Sequence, residues 1–259
     1  MGATLRGPLL PDRASRASGG LHRAQLKQVS RPAVARGGLQ SLWRYLGTLI
    51  ERKRWVAGDD VISDLIHAAE LDPELTDDGI AHLAAGLVFA GHAPVVAIID
   101  RGMLLLLTHP EQRDALQRDP TLAASTVEEI FRFASPIERV RAARRGGLTR
   151  YASVDIEVDG VTVRAGDMVM FAVQEANEDT TVFPEPKRFD ITRERIPHLS
   201  LSHGAHFCLG AHLARVKLQY LFVSVLARFP TLRLAVPLEE IQPIREAVAG
   251  AVSQLPVTW

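Results

Sequence analysis

Residues 201–210 read Leu201-Ser-His-Gly-Ala-His-Phe-Cys208-Leu-Gly210, and the chain runs from there straight into an amphipathic pattern that reaches Phe229. Cys208 is the only cysteine among 259 residues. No internal disulfide can form, so the thiol is core filler, nucleophile or metal ligand. Two metal arrangements are open on residues alone. His203, His206, Cys208 and His212 could form a tetrahedral zinc site of mixed ligands. Alternatively Cys208 is the one protein ligand of a metal held mainly by something else. Gly204 and Gly210 favour the second arrangement, because a tight loop with a glycine on each side lets the backbone approach the sulfur and whatever it binds. A helix opening near Gly210 turns its positive end toward Cys208 and favours the thiolate.

Upstream, the apolar positions Leu42, Trp43, Tyr45, Leu46, Leu49 and Ile50 recur with helical spacing over 41–54. Gly58 ends that run, and Asp59 precedes a second amphipathic stretch with Val61, Ile62, Leu65 and Ile66. A third helix opens at Thr76, with Asp77 and Asp78 in its first turn, and continues to Thr108, which is roughly 48 Å at 1.5 Å per residue. Its segment 83–99 is apolar, but His92 and Pro94 interrupt it and Asp100 and Arg101 flank it. It falls short of about 20 clean residues, so it reads as a buried central helix and not as a membrane span. Pro94 lacks a backbone donor and clashes with the carbonyl of Ala90, which predicts a kinked or opened helix over 90–94.

Short helices are expected over 110–118 and 125–133, the latter ending before Ser135-Pro136. The period then changes to two. Val154, Ile156 and Val158 alternate with polar residues, Asp159-Gly160 makes a turn, and Val161 and Val163 continue, which is a hairpin. Strands are expected over 168–173 and 232–236, and a helix over 210–229. The fold class is mainly α with a small β-sheet. Formal net charge is zero, so nothing in the total points to nucleic acid. The first 37 residues hold six Arg, one Lys and a single acid, Asp12, without apolar periodicity. They read as a disordered Arg-rich segment, and the division is 1–38 for that segment and 39–259 for the folded part.

The cysteine loop resembles the haem-binding signature of cytochromes P-450, Phe-x-x-Gly-x-x-x-Cys-x-Gly, with Gly204, Cys208 and Gly210 in register and Leu201 in place of the Phe. The resemblance extends in order along the chain. Glu129-Ile-Phe-Arg132 matches the family's Glu-x-x-Arg. The loop Phe183-Pro-Glu-Pro-Lys-Arg188-Phe189-Asp matches the one that supplies a third partner, which assigns Glu129, Arg132 and Arg188 to one buried charged cluster. Arg150 falls where the family places a propionate contact, and His206 falls at a second one. Ala90-Gly91 matches the Ala-Gly of the oxygen-binding groove in the central helix. The usual continuation there is x-acid-Thr, whereas this chain has His92-Ala93-Pro94, with His92 the candidate substitute.

The resemblance covers about Leu39 to the C-terminus and implies the C-terminal portion of the cytochrome P-450 fold. It implies haem b (iron) held by Cys208, with Arg150, Gly204, His206 and Gly210 around it. It further implies a cytoplasmic monooxygenase that hydroxylates or epoxidises a small organic molecule, with secondary metabolism as the expected setting. O2 is the oxidant, and ferredoxin and ferredoxin reductase are the electron donors. Family members carry considerably more chain before the helix near Leu42. A truncated, catalytically inactive relative with weak or no haem binding is therefore the alternative, and a zinc-site structural protein is a third.

Overall fold

The computed structural model describes residues 31–133, 148–244 and 251–259. They fall into two compact units that divide between Asp72 and Pro73. The expectations placed on residues 1–30 and on Ser135-Pro136 lie outside the described residues.

In the first unit, α1 spans Arg31–Trp55 and α2 spans Val61–Leu71. Helix α1 starts ten residues before the apolar periodicity does. Pro32 lies in its first turn, where a missing backbone donor does no harm. The N-cap of α2 is Asp60, not Asp59: its carboxylate accepts the Ser63 N–H at 3.2 Å. Leu46, Ile50 and Ile66 are the buried apolar residues of this unit.

The second unit is built on α3, Asp77–Thr108. Thr76 caps it as expected, with its hydroxyl accepting the Gly79 N–H at 3.2 Å. The helix runs through Pro94 without interruption, so the opened segment expected at 90–94 is not found. The burial expected along its middle is not found either. Leu83, Leu87, Val88, Phe89 and Val96 are exposed, whereas the C-terminal stretch from Ala97 to Leu106 is largely buried. By length and composition alone, α3 could cross a membrane. Its C-terminal half instead packs in the main core with α4 (Pro110–Arg118), α5 (Ala123–Arg132) and α7 (Ala211–Arg228).

That core gathers Leu105 and Leu106 of α3, Leu116 of α4, Val127 and Ile130 of α5, and Leu218, Phe222 and Leu226 of α7. Gly102 marks the crossing of α3 over α7. A Cβ there would run into the Phe222 ring and lie 3.0 Å from Ile130 Cδ1. Helix α5 starts at Ala123, two residues before Ser125, and stops at Phe133, whose backbone is extended.

Among the described residues the strands form three antiparallel pairs. Strand β1 (Leu148–Tyr151) pairs with β4 (Met168–Phe171), placing Arg150 opposite Val169. Strands β2 (Ile156–Val158) and β3 (Val161–Val163) form the expected hairpin. Asp159 and Gly160 have φ of 49° and 76°, the two left-handed residues of a type I′ turn. Strand β5 (Arg233–Leu234) pairs with β6 (Val257–Thr258). Between β4 and α7 lie the short helix α6 (Val173–Ala176) and a long irregular segment. That segment carries the site.

Candidate functional site

Cys208 closes a tight loop. Its N–H donates to the carbonyl of Leu201 at 2.9 Å, and its own carbonyl accepts the Ala211 N–H at 3.1 Å. Ser202 and Gly204 both adopt left-handed backbone conformations, with φ of 65° and 66°. Gly204 takes this at no steric cost, and Ser202 takes it at some. Gly210 serves as the N-cap of α7 with a negative φ, so no left-handed backbone requires glycine there. A Cβ at Gly204 or at Gly210 would meet nothing within 4 Å. The thiol is half-buried against the core, while Phe207 and Leu209 beside it are exposed, Leu209 at 88%. Helix α7 thus directs its positive end at a partly accessible sulfur framed by uncovered apolar side chains.

Below the loop lies a charged core. Glu129 and Arg132, one turn apart on α5, are both wholly buried. Arg132 donates to the Glu129 carboxylate through Nε and Nη2, each at 2.7 Å, and to the carbonyls of Asn177 and Pro186, each at 2.9 Å. The remaining capacity of Glu129 is met by the Asp190 N–H at 3.0 Å and by Arg193 Nε at 3.3 Å. The third cation of the cluster is therefore Arg193, not Arg188. The Arg188 side chain is 58% exposed and pairs with Glu185 and Asp190 at 3.2 and 3.5 Å. Its neighbour Phe189 is buried, and this local alternation turns the Arg188 side chain to solvent and its carbonyl inward to Arg132 and Arg193.

A second cluster, absent from the sequence reading, ties the loop itself. Arg215 on α7 holds Glu128 in a bidentate pair at 2.6 and 2.9 Å. His198 Nε2 lies 3.1 Å from the same carboxylate, and its Nδ1 accepts the Ser200 N–H at 3.2 Å. Burial alone would raise the Glu128 carboxyl. Hydrogen bonds from His198 and Arg215 outweigh that and hold it down from the ordinary 4.5 to about 2. Asn177 completes the framework: its amide oxygen accepts the Leu199 N–H, and its amide nitrogen donates to Ser200 Oγ, both at 2.8 Å. Apart from the local His198–Ser200 bond, these contacts span 22 to 87 residues in sequence, which is why no local spacing reveals them.

Arg150 on β1 is exposed, with Nη1 donating to the Thr149 carbonyl at 2.9 Å. His206 is exposed at the end of a single 3-10 turn, Gly204–His206. Ala90, Gly91 and His92 lie on the uncovered middle of α3, with open space where a Gly91 Cβ would be. Among the described residues, no group of three or more His, Cys, Asp or Glu is placed to hold a metal ion. The tetrahedral set of His203, His206, Cys208 and His212 is thus not assembled. A lone thiol at a helix N-terminus with apolar flanks instead fits a flat, largely apolar metal complex that brings its other ligands with it.

A family model, Cytochrome P450, matches residues 48–256. Cytochrome P450 105C1 of Streptomyces sp is 41% identical over 219 residues, covering 85% of this chain and 55% of that protein. Pentalenolactone synthase of Streptomyces exfoliatus is 38% identical over 221 residues, covering 85% and 54%. The crystal structure of the putative thioether synthase SgvP, involved in the tailoring step of griseoviridin, superposes with a TM-score of 0.78 at 34% identity. It covers 89% of this chain and 57% of that one. The chain belongs to the cytochrome P450 family, and it spans about half the length of the curated relatives it matches.

Proposed function

We propose that this chain carries the haem-binding portion of a cytoplasmic haem-thiolate monooxygenase. Its reaction is hydroxylation or epoxidation of a small organic molecule, with O2 as oxidant and electrons from ferredoxin and ferredoxin reductase. The observation that carries the reading is Cys208, a half-buried thiol fixed by its own backbone hydrogen bonds at the N-terminus of α7. Relatives named for pentalenolactone synthesis and griseoviridin tailoring support a role in secondary metabolism. Haem b bound to a thiolate supplies the activation of dioxygen. Cys208 would hold the iron, and Gly204 and Gly210 leave room for the ring's close approach. Arg150 and His206 would bind its propionates with positive charge and N–H donors. Ala90 and Gly91 give α3 a patch of minimal side chains, and His92 would carry the proton at its imidazole nitrogens.

The residues at 92–94 favour a second reading. Ala93 and Pro94 offer neither a carboxylate nor a hydroxyl to relay protons. A catalytically inactive relative is the form that this substitution and the exposed middle of α3 support. One set of spectra addresses both. The 259-residue chain, reconstituted with haem, reduced and exposed to CO, should show the long-wavelength Soret band of thiolate ligation. Cys208→Ala should lose it and His203→Ala should keep it. Retention of that band in Cys208→Ala would overturn the ligand assignment, and absence of haem binding in the wild type would leave the inactive reading.

A further inference from the structure

Glu128 and Glu129 are consecutive on α5, yet they serve different partners. Glu129 faces Arg132, Arg193 and the Asp190 backbone. Glu128, about 100° around the helix, faces the cysteine loop. Its carboxylate meets His198, ten residues before Cys208, and Arg215, seven residues after it. The entry limb is pinned further by Ser200 Oγ, which donates to the Phe131 carbonyl at 2.5 Å, and by Asn177 at Leu199. This limb delivers the Leu201 carbonyl that accepts the Cys208 N–H. The exit limb is the first turns of α7, from which Arg215 reaches back.

We infer that Glu128 is a positioning residue that clamps both limbs of the cysteine loop with one carboxylate and thereby fixes where Cys208 presents its sulfur. His198 can serve it in one tautomer only. The Ser200 N–H can only donate, so Nδ1 accepts and the proton on Nε2 points at Glu128. His198 is 2% exposed, and Arg215 and Glu128 are each about one-quarter exposed, so water competes weakly for these bonds. The Glu128 hydrogen bond is the main cause of the raised Arg215 pKa. Losing Glu128 frees the loop at both ends and lets the guanidinium swing, so the sulfur loses its fixed direction.

The inference rests on the proposed haem-thiolate reading only for its consequence at iron, and the test separates the two. Hydrogen exchange by mass spectrometry is measured on the full chain without haem, for wild type, Glu128→Gln, His198→Ala and Arg215→Gln. Glu128→Gln should speed exchange over residues 199–210 about ten-fold or more, with residues 97–107 of α3 unchanged. In the Glu128→Gln background, adding His198→Ala or Arg215→Gln should change little, because the shared anchor is already gone. With haem, Glu128→Gln should convert much of the thiolate-type CO band to a shorter-wavelength form. Equal acceleration in α3 and in the loop would reduce Glu128 to a general stabiliser and overturn the inference. Unchanged loop exchange, or independent additive effects of the three substitutions, would also overturn it. Failure of the wild type to bind haem would count against the proposed function and leave the exchange result standing.

Discussion

Replacing Glu129 with Gln tests the charged core most sharply, because shape is kept and charge removed. The carboxylate accepts four hydrogen bonds: two from Arg132 at 2.7 Å, one from the Asp190 N–H at 3.0 Å and one from Arg193 at 3.3 Å. An amide offers one oxygen in place of two and turns an N–H2 toward a guanidinium that is itself only a donor. Arg132 keeps the carbonyls of Asn177 and Pro186, but it becomes a wholly buried cation with no counter-charge. Loss of one partner of a buried pair costs about 3–5 kcal/mol. A domain holds only about 5–15 kcal/mol in total, so much of the stability margin should disappear. Arg193→Ala removes the weaker cation and should cost about 1–3 kcal/mol. Arg188→Ala, at an exposed pair, should cost under about 1 kcal/mol. Urea unfolding followed by circular dichroism gives the three midpoints. Glu129→Gln within about 0.5 kcal/mol of wild type, or Arg188→Ala as costly as Arg193→Ala, would refute the assignment of the cluster.

Three further outcomes are expected. Gly102→Ala drives a methyl into Phe222 at the crossing of α3 and α7 and should cost about 1–3 kcal/mol by overpacking, read as a lower melting temperature that Phe222→Leu partly restores. The Glu128 carboxyl, held from 4.5 down to about 2, should keep the cysteine loop fastened above about pH 4.5 and release it as pH falls toward 2. Opening of residues 199–210, followed by hydrogen exchange, should rise over that range in the wild type, and Glu128→Gln should flatten the dependence. The exposed apolar residues Leu213, Val216 and Tyr220 recur along one side of α7, with Leu209 just before it, and Leu83, Leu87 and Val88 lie along α3. Uncovered surface of this kind promotes association, so sedimentation velocity should show concentration-dependent oligomers that Val216→Glu with Tyr220→Lys diminishes.

Local chemistry was legible in the sequence, and long-range partnership was not. The hairpin at Asp159-Gly160, the Thr76 cap and the span of α3 each depend on residues within a few positions of one another. The loop of Cys208 was legible for the same reason, since Gly204, Cys208 and the start of α7 are contiguous. Arg188 and Arg193 are both arginines in one short segment. Which of them turns inward depends on the burial of Phe189 and Ile191 against the core, which spacing does not report. Glu128, His198 and Arg215 meet across 70 and 87 residues, and each alone looks like an ordinary surface charge. The middle of α3 was misread because a continuous apolar run implies something to pack against, and the described residues leave Leu83, Val88 and Phe89 about half exposed.

The central claim is that Cys208 bonds iron, and X-ray absorption at the iron edge of the haem-reconstituted chain examines that bond directly. Wild type should show one sulfur bonded to iron beside the nitrogens of the ring, and Cys208→Ser should show that sulfur replaced by oxygen or nitrogen. An iron with no bonded sulfur in the wild type, or with the same sulfur signal in Cys208→Ser, would contradict the account.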